Sequence, residues 1–80
     1  MNGNIVYFEG VIVGFESPEG FNEPSLFIQG SINNEDASFY LLVSESDYEE
    51  FMRLGVGQMI NGKAHIVSRE PLVLKLATRG

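Results

Sequence analysis

Few residues in this chain can do chemistry. His65 is the single histidine, and there is no cysteine to pair it with. A Cys/His nucleophile, a thiolate metal site and a disulfide framework are therefore unavailable. The serines near His65 stand in no nucleophile-elbow context. Carboxylates are plentiful. Glu16, Glu19 and Glu23 share one stretch and Glu35-Asp36 another, but neither has the spacing of an EF-hand calcium loop. Carboxylate-pair catalysis needs a cleft that 80 residues scarcely supply. Gly55-Val56-Gly57 carries no GxxxxGK(S/T) or GxGxxG pattern after a strand, so it reads as a helix stop rather than a phosphate loop. The expectation is a non-catalytic protein without metal or cofactor.

The elements that hold these residues come from periodicity. "NIVYFEGVIVGFE", Asn4 to Glu16, alternates with period two and is rich in β-branched and aromatic residues, which suits a strand. Val6, Phe8, Gly10 and Ile12 fall on one side of it; Ile5, Tyr7, Glu9, Val11 and Val13 fall on the other. Gly10 and Gly14 mark bends or bulges. "SPEGFNEPS", Ser17 to Ser25, is a loop. Strands follow over Leu26–Ile32 and Ala37–Val43, joined by the turn "NNED". Ser46-Asp47-Tyr48-Glu49 then has capping-box spacing. Tyr48, Phe51 and Met52 form an apolar helical face, Arg53 suits the last turn, and Gly55 ends the helix. "GQMINGKAHIVSRE" and "PLVLKLATR" give the fourth and fifth strands. Asn61-Gly62 is alternatively a hairpin turn; a fourth strand bending through Gly62 fits the following pattern better.

Residues 1–80 thus form one domain, all-β with one short helix, in the order β-β-β-α-β-β. Five strands with a helix between the third and fourth resemble the OB-fold, the five-stranded oligonucleotide/oligosaccharide-binding barrel. "VYFEGVI" is similar to its glycine-centred first strand, and "GVGQMINGKAHIV" to its helix exit and fourth strand. Gln58 departs from that pattern, which prefers an apolar residue there. The resemblance implies a fold, not an activity.

The OB-like register assigns faces. Leu26, Ile28, Phe39, Leu41, Val43, Ile60, Ala64 and Ile66 point inward, as do Leu72, Leu74 and Leu76. Tyr7, Val11, Val13, Phe27, Tyr40 and Leu42 point outward on the first three strands, where such barrels commonly bind ligands. This is the candidate binding face. Charge is split along the chain. Residues 1–52 carry −10 and residues 53–80 carry +4, for a net charge of −6. Lys63, His65, Arg69, Lys75 and Arg79 would form an outer basic stripe, with Glu9 answering Lys63. An acidic chain repels phosphate backbones, and the first three strands hold no cation beside their aromatics. The sequence therefore favours a protein partner or a homo-oligomer through the outer face. Two alternatives remain. One is single-stranded nucleic-acid binding by aromatic stacking. The other is an acidic inhibitor that mimics nucleic-acid charge. No apolar run approaches the roughly 20 residues of a membrane helix, and the N-terminus lacks a signal-peptide pattern, so the expected location is the cytoplasm.

Overall fold

A computed structural model of the protein describes the backbone of residues 5–79 and the side chains of residues 5–78. Five strands and one helix appear in the expected order: β1 (Ile5–Gly14), β2 (Ser25–Ile32), β3 (Glu35–Leu42), α1 (Glu45–Leu54), β4 (Met59–Arg69) and β5 (Leu72–Arg79). The strands close into a barrel in the order β1-β2-β3-β5-β4, compatible with an OB-like arrangement. All neighbours are antiparallel except β3 and β5. That parallel ladder is short, pairing Tyr40 with Val73, Leu41 with Leu74 and Leu42 with Lys75.

Alternation explains the interior. Val6, Phe8, Gly10 and Ile12 of β1 are buried and meet Leu26, Ile28, Phe39, Leu41, Ala64 and Leu74 inside the barrel. Ile66, Leu72 and Leu76 are only partly buried and pack against this core. Gly10 and Gly30 face each other across β1 and β2. A Cβ on Gly30 would run into the Glu9 carbonyl and the Gly10 Cα. Here the two backbones approach more closely than any side chain allows. β4 runs unbroken through Asn61-Gly62, so the hairpin alternative falls away.

α1 closes one end of the barrel. Phe51 is buried in the core, and Tyr48 meets Phe15 edge-on, with ring centroids 5.9 Å apart. The cap differs from expectation. Ser44, not Ser46, is the N-cap: its backbone is extended and its Oγ accepts from the Asp47 N–H at 3.2 Å. Ser46 lies inside the helix, its Oγ 3.3 Å from that of Ser44. Starting at Ser44 lets both Glu45 and Asp47 face the positive helix end. Gly55 stops the helix as expected, with φ 89° and its N–H bonded to the Phe51 carbonyl. Met52 is exposed and does not join the apolar face.

The turn between β2 and β3 is tighter than "NNED". Only Asn33 and Asn34 form it, both at positive φ (51° and 71°), while Glu35 and Asp36 belong to β3. Two residues in this conformation make the tight hairpin that matches strand twist, and asparagine tolerates it better than most residues. Asn33 also ties the hairpin to β1. Its Oδ1 accepts from the Tyr7 N–H at 2.9 Å, and its own N–H donates to the Tyr7 carbonyl at 2.7 Å.

Candidate interaction face

The strand registers fix which outward residues are neighbours. One cross-strand row on the outside runs Met59, Val11, Gln29 and Ser38. The adjacent row runs Phe27, Tyr40, Val73 and Ser68. Val13 enters this second row through a bulge, since Phe27 pairs with Gly14. Neither row carries a charge. On one side they are bounded by Asn61, Glu9, Ser31 and Asp36, and on the other by Leu42, Lys75 and His65.

Phe27 and Tyr40 sit at the centre, half-buried, with ring centroids 5.0 Å apart and planes tilted by 53°. Val11 is half-buried beside them and Val13 is exposed. These four of the six expected face residues come together. The other two do not. Leu42 points outward beside Tyr40 but is only 2% exposed, so it offers almost no surface. Tyr7 is exposed but lies two rows beyond Val11, past Glu9. Alternation gives a side chain's direction, not what lies over it, and it puts Tyr7 and Val11 on one side without measuring the distance along the strand.

Three members of this region escaped the sequence reading. Met59 pairs with Val11 and is 62% exposed. The chain just before it runs against β1: the Ile12 N–H donates to the Gln58 carbonyl, and the Gly57 N–H to the Ile12 carbonyl. Val56, more exposed still, stands at this crossing. A valine flanked by two glycines in a helix-stop segment was the available signal, because such a segment has no core to hide it. Val73 is the opposite case: it points outward but is fully buried between Tyr40 and Ser68. A bulge in β4 between Ile66 and Ser68 sets Ser68, rather than Val67, opposite Val73.

The basic stripe divides. Lys63, His65 and Lys75 are exposed and adjacent, His65 standing opposite Lys75. Tyr7 is the direct partner of Lys63, while Glu9 faces Asn61, so Glu9 is not the residue opposite Lys63. Arg69 lies apart, beside Glu35 and Asp36 at the barrel end away from α1. The Arg79 side chain falls outside the described residues. The acids gather at the helix end. Glu16, Glu19 and Glu23 come from the β1–β2 loop and Glu45, Asp47, Glu49 and Glu50 from α1.

Among the described residues, no group of three or more His, Asp or Glu side chains is placed to hold a metal ion. No helix there is long and apolar enough to cross a membrane. The fold defines a class: a small closed five-stranded β-barrel with one helix between its third and fourth strands. Comparison of the chain with protein-family models, with curated proteins and with solved structures finds no match.

Proposed function

We propose that this barrel is a non-catalytic OB-fold module that binds a protein surface, another chain's or a second copy's, through the outer face of β1, β2 and β3. One observation carries the reading. The half-buried Phe27–Tyr40 pair lies in one of two adjacent rows without charge, in a chain of which 20% is charged. Apolar patches of a few hundred Å² on small proteins are commonly places of contact. Burying such a patch gives roughly 5–10 kcal/mol gross at about 25 cal/mol per Å², against an association cost of about 4–15 kcal/mol. The contact is therefore weak and reversible unless the partner also engages the rim acids Glu9 and Asp36. The test is a photo-crosslinking residue placed at Gln29, within the face. It should capture a second copy or a discrete host protein, and Phe27→Asp should abolish capture while the circular dichroism spectrum stays unchanged. Capture that persists in the Phe27→Asp variant sinks the reading.

A second reading rests on Tyr7. It shares a face with Lys63, His65 and Lys75, an aromatic beside three basic residues, as single-stranded nucleic-acid binding requires. The net charge of −6 opposes it. Single-stranded DNA titrated at two salt concentrations separates the readings: the first expects no binding tighter than about 10 μM at physiological salt.

A further inference from the structure

β3 is paired on both sides only in its second half. β2 runs along it from Glu35 to Leu42, but β5 joins it only at Tyr40, Leu41 and Leu42. Residues 35–39 therefore form a strand edge in a barrel that is otherwise closed. The two-residue hairpin fixes what this edge presents. Its closing pair, Ile32 and Glu35, exchanges both backbone hydrogen bonds, and the pattern alternates from there. Ala37 and Phe39 likewise bond to β2. Asp36 and Ser38 are left with N–H and C=O groups directed away from β2, and both residues are exposed.

A cavity of about 250 Å³ opens beside this edge. Val6, Ile32, Ala37, Ile66 and Leu72 give it an apolar floor, while Glu35, Asp36 and Arg69 stand on its rim. A free hydrogen-bonding edge beside an apolar pocket is the pairing that strand-addition sites use. The backbone supplies affinity, and the pocket selects one side chain in every two. We propose that residues 35–39 of β3 accept an extended segment of a partner polypeptide as an added strand. The segment places one aliphatic side chain in the cavity and, two residues along on the same face, a lysine or arginine against Glu35.

Charge decides the occupant. Exposed acids on an edge oppose pairing with a second copy, which would bring Glu35 and Asp36 of both chains together. Arg69 on the same rim offsets one of the two acids, and the net −1 that two acids and one arginine leave still favours a cationic strand. Asp36 and Ser38 also border the Phe27–Tyr40 face, but Glu35 and the cavity do not, so Phe27→Asp tests that face alone and Glu35→Lys tests this site alone.

The probe is the capped peptide Lys-Thr-Val-Thr-Lys, titrated into the intact protein and followed by NMR. Chemical-shift changes should concentrate on residues 35–39, Ile66 and Leu72. Amide exchange at Asp36 and Ser38 should slow by at least about tenfold at saturation, as newly bonded amides do. Ser38→Pro removes an N–H that the edge offers but β2 does not use, and it should abolish binding while the fold persists. Glu35→Lys is a second variant that leaves the backbone untouched, and it should weaken binding at least about tenfold if charge selects the strand. Shifts that map to Phe27 and Tyr40, equal binding by a backbone N-methylated peptide, or no shift at millimolar peptide would each overturn the proposal. Concentration-dependent protection of Asp36 and Ser38 without peptide would overturn it in favour of self-pairing.

Discussion

Two aromatic pairs lie on opposite sides of the barrel wall. Phe8 and Phe39 meet edge-on inside, with centroids 5.8 Å apart, and both are essentially inaccessible. Phe27 and Tyr40 meet outside at 5.0 Å and remain half-buried. Phe39 and Tyr40 are consecutive residues, so one peptide unit separates a core residue from a surface one. Residue type does not distinguish the pairs. What differs is the second layer. The inner rings are enclosed by Ile28, Leu41 and Leu74, whereas the outer rings have wall on one side only. The inner pair therefore sets stability, and the outer pair is available for contact.

Substitutions should separate the two roles in order of size. Phe39→Ala should cost roughly 3–5 kcal/mol in urea unfolding, enough to unfold much of the population of so small a domain. Gly30→Ala tests the wall between the pairs. Its new methyl has no room against Glu9 and Gly10, and about 1–3 kcal/mol should be lost. Tyr40→Ala should cost only about 0.5–1.5 kcal/mol of stability, the worth of an aromatic pair, while its effect on partner capture is large. A loss matching that of Phe39→Ala would erase the distinction between the pairs. Lys63→Ala, on the exposed face beside Tyr7, should shift stability by less than about 0.5 kcal/mol. It thereby sets the baseline for a surface change unrelated to either pair.

Much of the barrel was legible because its signals are local. Alternation in β1 named the buried set Val6, Phe8, Gly10 and Ile12, and Gly55 marked the helix stop. The errors arose where neighbours decide. Ser44 and Ser46 both suit a cap, and the choice depends on where β3 releases the chain. Leu42 and Val73 alternate outward yet are buried, because burial depends on strands far away in sequence. For the candidate face, Phe27, Tyr40, Val11 and Val13 were readable from alternation. Met59 and Val56 were not, because they join it through a register and a crossing that only the closed barrel creates.

The short β3–β5 ladder has a consequence in time. Its three residue pairs join strands separated in the chain by α1 and β4, while the β1–β2, β2–β3 and β4–β5 ladders each join consecutive strands. Closing so long a loop costs entropy before any contact repays it, and non-local pairings slow folding. The β1–β2–β3 meander and the β4–β5 hairpin meet along two such non-local ladders, β1–β4 with seven residue pairs and β3–β5 with three, so the shorter one is the weaker seam. By the same reasoning it opens first. The backbone bonds of Tyr40 and Leu42 to β5 should exchange at a lower free energy than those of Ile12 or Ile28, making this seam the joint at which the molecule first comes apart.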